Sequence, residues 1–334
     1  MPTRPNLDAG GWVCELSRVQ GVTRIRRNSS AYQKSARRKR ILLAAVVLVT
    51  VAVSVPALSQ FAGNIRGGGA RVDRAEMLRL WEAGSFDEVH RLSREALAFR
   101  PLDYFLLTMH GFSAYQLAIS QVNSLAAAAY FDDCIRALRK AMLLRESERD
   151  GRLFYVLGKA YFYLGDGFAD LAIRYLEKAR ALGHRASDIP EFLGLAYAAI
   201  GDHRSSVIAF SEALETTRPS ALLLVSIAES YIALEELEKA RAYLMRGISV
   251  SMDSRTTIAA RLFLADVLRM LGDIDGASRQ LAEVLEEAGE NAEARFQLGE
   301  LYALQGDNVR ARAEWRRAVS ADPTHLRART RLSL

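Results

Sequence analysis

Past residue 70 the apolar positions fall three and four residues apart, as at Ala311, Trp315 and Ala318, the spacing that keeps side chains on one face of an α-helix. These faces are interrupted by Gly-Asp pairs at Gly165-Asp166, Gly201-Asp202, Gly272-Asp273 and Gly306-Asp307. Glycine accepts the left-handed conformation that ends one helix, and aspartate accepts amide hydrogens that open the next. The pattern therefore predicts short helices joined by tight turns. One segment stands apart: Ile41 to Leu58 reads ILLAAVVLVTVAVSVPAL, eighteen residues without a charge.

The helical pattern repeats. LGKAYFYLGD from Leu157, LGLAYAAIGD from Leu193 and LGELYALQGD from Leu298 share their first two, fifth and last two letters. After Gly299 come Tyr302, Gly306, Ala311, Trp315, Ala318 and Pro323. Gly158, Gly194, Ala228 and Ala265 head further copies, and the intervals from Gly158 to Gly299 are 36, 34, 37 and 34 residues. This register resembles the tetratricopeptide repeat, with its small residue, Tyr, Ala, large apolar residue and Pro on a period of about 34 residues. Two weaker units precede it, headed by Met77 and Gly111. The second accommodates the pattern at Cys134 and Leu138 only with an alanine-rich insertion around Gln121 to Tyr130, which predicts lengthened helices and not a loose loop.

The resemblance implies an all-α fold, a right-handed superhelix or α-solenoid over residues 70–334, of about seven repeats plus a short C-terminal cap beginning near Leu326. Packing explains the residue types. The small residue of each first helix admits the second helix, with Ala311 or Ala277 expected opposite, while Tyr302 and Trp315 fill the space toward neighbouring helices.

Charge changes the picture of the N-terminus. The formal net charge is +6, but residues 1–40 hold ten basic and two acidic residues, so the tail carries +8 and the remainder −2. A nucleic-acid binder should carry its basic residues on the folded domain, so nucleic acid is excluded as a partner. At about 1.5 Å per residue the apolar segment reaches roughly 27 Å, close to a hydrocarbon core of about 30 Å. Arg37, Arg38, Lys39 and Arg40 stand directly before it and mark a cytoplasmic flank. The expected organisation is a basic, disordered cytoplasmic tail at 1–40, a transmembrane helix or signal anchor at 41–58, a glycine-rich linker at 59–69 and the solenoid at 70–334. Val55-Pro56-Ala57 also resembles a small-residue cleavage site; a cleaved leader leaves the solenoid on the same side.

Candidate chemistry is sparse. Cys14 and Cys134 form no disulfide framework. His90, His110, His184, His203 and His325 show no His-x-x-x-His or Cys-His ligand spacing, and most read as surface or helix-end residues; Glu235, Glu236 and Glu238 read as a solvated helix run. No enzyme, cofactor or metal is expected. The resemblance implies instead that first helices line a concave groove. That projection places Phe105, Phe112, Tyr115, Tyr155, Phe162 and Tyr163 at one end, with Glu191, Glu229, Asp266, Glu293 and Glu300 toward the other. Aromatic residues give rigid contact area and acids select basic segments, so the groove suits a peptide with apolar anchors and Lys or Arg at one end. The Lys and Asn arrangement that grips a C-terminal carboxylate in some relatives is absent; Lys159 and Arg152 alone do not make it.

The expectation is a scaffold or assembly factor in the cytoplasmic (inner) membrane of a bacterial envelope. Its N-terminus is inside, its repeats are periplasmic, and other envelope proteins or peptides are its partners. The alternative is a lipid or small apolar ligand carrier in an envelope transport system.

Overall fold

A computed structural model describes residues 73–216 and 218–333. The expected tail, apolar segment and linker lie outside them. The described residues form seven antiparallel helix pairs and no strand: α1 (Arg74–Glu82) with α2 (Phe86–Leu97), α3 (Tyr104–Ser120) with α4 (Ser124–Ala141), α5 (Gly151–Tyr163) with α6 (Ala169–Ala181), α7 (Ile189–Ala199) with α8 (His203–Thr216), α9 (Ala221–Ala233) with α10 (Leu237–Val250), α11 (Ser254–Met270) with α12 (Ile274–Glu287), and α13 (Ala292–Leu304) with α14 (Asn308–Ala321). A last helix, α15 (Leu326–Ser333), covers the end of the stack and buries Ala328. Each pair packs mainly on itself and its neighbours, so a continuous core runs along a solenoid. Among the described residues no helix is long and apolar enough to cross a membrane.

The turns between paired helices follow from local hydrogen bonding. Gly201, Gly272 and Gly306 adopt positive φ angles of 79°, 82° and 81°. The aspartate after each donates its amide back to a carbonyl in the helix just ended: Asp202 to Tyr197 at 2.9 Å, Asp273 to Leu268 at 2.9 Å and Asp307 to Tyr302 at 2.9 Å. The same aspartates cap the following helix, with Asp273 Oδ1 accepting from the Gly276 amide at 2.8 Å and Asp307 Oδ1 from the Arg310 amide at 2.9 Å. These carboxylates are structural.

Between α9 and α10 the same turn is built without glycine. Glu235 has φ 60°, and the Glu236 amide donates to the Tyr231 carbonyl at 2.9 Å. Glu235 and Glu236 therefore form the turn, and of the expected helix run only Glu238 lies within α10. A left-handed conformation costs an ordinary residue about 1–2 kcal/mol. Glu235→Gly is accordingly expected to raise stability by about 1 kcal/mol, with a higher thermal midpoint as the readout. An unchanged or lower midpoint would count against the strained turn.

The insertion in the second unit lengthens its helices: α3 and α4 have 17 and 18 residues, against 13 and 14 for α13 and α14. The small residues of the first helices have a different neighbour from the expected one. A Cβ added at Gly194 would lie 2.5 Å from Cε1 of Phe210, and one at Gly299 would lie 2.5 Å from Cδ1 of Trp315 and 3.1 Å from the Ala311 carbonyl. At Gly158 the nearest atom would be Cγ of Leu176, at 2.8 Å. Glycine thus makes room chiefly for the large residue of the second helix, so small faces large. Ala228 and Ala265 are buried in the same core, Ala311 and Trp315 are buried at the C-terminal end, Tyr302 packs beside them, and Pro323 lies exposed after α14.

Candidate binding groove

Tyr155, Lys159, Phe162 and Tyr163 fall at helical intervals of four, three and one along α5, which sets them on one side of that helix. Their neighbours come from the first helices on either side: Tyr115 from α3, and Asp188, Glu191 and Phe192 from the start of α7. Three consecutive units therefore contribute to one cluster.

Lys159 is its polar centre. Its Nζ lies 2.7 Å from Oδ2 of Asp188 and donates to the Tyr155 hydroxyl at 3.1 Å. Tyr155 in turn donates to the Asp188 carboxylate at 2.8 Å. The ammonium also sits 4.3 Å from the ring centroid of Phe192 and 5.8 Å from that of Tyr115. A lysine side chain only 12% exposed needs such partners, because an unpaired buried charge is strongly unfavourable. Burial, followed by the Asp188 contact, pushes the Tyr155 hydroxyl pKa upward, so it remains a hydrogen-bond donor at neutral pH.

Around this centre the rings interlock. Phe162 meets Phe192 edge to face at 5.1 Å, and Tyr163 stacks on Phe131 at 5.4 Å. Tyr115 is buried, Tyr155 and Phe162 are half-buried, and Tyr163 is 46% exposed at the rim. Glu191 stands beside them, and burial, then the Asp188 charge, raises its carboxyl pKa.

The other groove candidates lie elsewhere. Phe105 packs with the N-terminal core under Arg74, whose guanidinium is 5.0 Å from its ring, and Phe112 is 6.4 Å from Trp81. Asp266 pairs with Arg269 at 2.7 Å. The cap helix holds two more acids: Glu293 faces His325 at 3.0 Å and Arg327 at 3.3 Å, and Glu300 accepts from Arg331 at 2.8 Å. Glu229 is exposed at its own surface, yet surrounding protein partly desolvates it and raises its carboxyl pKa. Of the projected acids, Glu191 and Glu229 are the ones whose charge is least satisfied.

Sequence reasoning missed Asp188 and Phe192. The signal available for Asp188 was its place before Ile189-Pro190, a helix start, which says nothing about the lysine 29 residues earlier. It also misplaced two histidines. His90 and His110 are 5% and 6% exposed, not surface residues, and their rings stack within the first two units.

Residues 186–334 match the family described as tetratricopeptide repeat-like domain, which takes in the last four helix pairs and the cap. That segment carries tetratricopeptide-like repeats. A solved structure, the C-terminal part of a TPR repeat-containing protein from Cytophaga hutchinsonii, is similar with a TM-score of 0.56 and 15% identity, covering 78% of this chain and 100% of that one. That likeness shows the fold. YrrB, described as a TPR protein with an unusual peptide-binding site, aligns at 22% identity and a TM-score of 0.48 over 60% of this chain and 100% of its own. Pseudomonas aeruginosa pilF aligns at 15% identity and a TM-score of 0.48 over 66% of this chain and 95% of its own. No curated protein matches the sequence. The aromatic cluster therefore spans the start of the matched repeats and the two repeat units before them.

Proposed function

We propose that this protein is a membrane-anchored tetratricopeptide scaffold that displays its repeats outside the cytoplasm and captures a peptide or protein segment of another envelope protein, with no covalent step. The anchor reading rests on the uncharged stretch at 41–58 and the four basic residues before it. The observation that carries the binding reading is the cluster on α3, α5 and α7, where Phe162 and Tyr163 leave aromatic surface beside a carboxyl that lacks a full counter-charge. Aromatic anchors next to an unsatisfied acid fit an apolar side chain flanked by Lys or Arg.

A photoreactive residue at Phe162, activated in native membranes, tests this. One recurrent protein adduct that fades when Glu191 and Glu229 are changed to Gln is the expected result. Lipid as the sole adduct would favour the apolar ligand carrier instead. Capture should also depend on pH with a definite sign. The carboxyl pKa values of Glu191 and Glu229 are raised in the free protein, so each holds a proton at acid pH, and a cationic segment must displace it. Affinity is expected to rise as pH increases from the ordinary glutamate range toward neutrality, and the rise should vanish in the double Gln variant.

A further inference from the structure

Three helices bring together side chains that the groove does not use. His90 on α2, His110 on α3 and Asp133 on α4 have donor atoms that all lie within 4.8 Å of one another. Nε2 of His90 is 3.0 Å from Oδ2 of Asp133, and Nε2 of His110 is 3.3 Å from the same oxygen. Two imidazole nitrogens and one carboxylate oxygen are the donor set of a zinc-class ion. Tetrahedral zinc, at about 2.0–2.2 Å from N and O donors, keeps those donors roughly 3.3 Å apart. The two separations from the Asp133 oxygen are close to that edge.

The surroundings of His110 fit the same role. Nδ1 of His110 lies 3.2 Å from the His90 carbonyl oxygen and 3.0 Å from the Ser93 hydroxyl, which hold that side of the ring while Nε2 stands on the Asp133 side. Protonating both histidines would place two like charges in rings stacked 4.2 Å apart and 11° from parallel. One metal ion binds neutral imidazoles and avoids that conflict, once a ring rotates out of the stack so that both Nε2 lone pairs converge on it. The Nδ1 contact with a backbone carbonyl is also the usual outer support of a metal-bound histidine.

We propose that His90, His110 and Asp133 form a binding site for one divalent transition-metal ion of the zinc class, joining the first two repeat units. Asp133 also receives Arg94 at 3.2 Å and Arg136 at 3.0 Å, and both guanidiniums are mostly exposed, so each is free to turn outward when the metal enters. Arg94, Ala129, Tyr130, Asp133 and Arg136 line an open recess of about 400 Å³, which gives entry and room for a water or anion as fourth ligand. Arg94, whose Nη2 contacts the ligating oxygen, competes with the ion.

The test uses the full chain in detergent, stripped with EDTA and titrated with zinc chloride. The expected result is one zinc retained per chain after gel filtration, a raised melting temperature, and tetrahedral visible bands when cobalt replaces zinc. His110→Ala should weaken binding by about tenfold or more. Arg94→Ala changes only an exposed competitor and should strengthen it several-fold. That variant separates ligation from structural damage, because loss of a merely structural contact would not tighten metal binding. No retained zinc, retention by a folded H90A/H110A chain, or weaker binding in Arg94→Ala would each overturn the site.

Discussion

Phe210→Ala is expected to destabilise the fourth repeat unit by about 3–5 kcal/mol, and Gly194→Ala in that background is expected to restore part of the loss. Phe210 is fully buried on α8, and its ring fills the space in which a Cβ at position 194 would stand. Alone, Gly194→Ala gains about 1 kcal/mol of helix propensity but overpacks a rigid ring, for a net cost of about 1–3 kcal/mol. When the ring is gone the new methyl enters its cavity, and the two changes should couple by more than about 1 kcal/mol. Repeat arrays open unit by unit, so amide exchange in α7 and α8 is the appropriate readout beside the thermal midpoint. Strict additivity of the two substitutions would refute the account of why glycine stands at that position.

The second large effect should come from Asp188. Removing its carboxylate with Asp188→Ala leaves the Lys159 ammonium, 12% exposed, with one hydroxyl and three aromatic rings. A cost of about 2–3 kcal/mol is expected, at the lower end for an enclosed pair because Asp188 itself is 32% exposed. Lys159→Met should cost less, since Asp188 keeps the Tyr155 hydroxyl and reaches water. The double variant Lys159→Met with Asp188→Asn should lie near Lys159→Met alone. Thermal melts of the three variants check the order. If Asp188→Ala proves no worse than Lys159→Met, the pair does not hold the cluster together. The same variants bear on partner capture: the rings of Phe162 and Phe192 meet edge to face beside Lys159, so a loosened lysine should blunt crosslinking from that position.

These expectations separate what each level of description supplies. Gly201-Asp202, Gly272-Asp273 and Gly306-Asp307 are short-range signals, since a positive φ and a helix cap involve residues within one turn. For the same reason the helix pairs, their register and the lengthened α3 and α4 were legible before any coordinates. The alternation of small and large residues was legible too, but its meaning was not. Which large side chain fills the space beside Gly194 depends on how two helices cross, and Phe210 lies sixteen residues away.

Long-range electrostatics was hidden more completely. Nothing in the spacing of Glu293 and Glu300 foretold that His325 and, on α15, Arg327 and Arg331 would lie over them. Nor did any short motif link Lys159 with Asp188, or His90 and His110 with Asp133. By itself the sequence determined that this chain is a tetratricopeptide-repeat solenoid, because each repeat is a local unit that stacks on its neighbours. Only the tertiary structure decided which charges pair and which side chains meet. Those contacts join residues on different helices, and their distances are set by packing that no local spacing encodes.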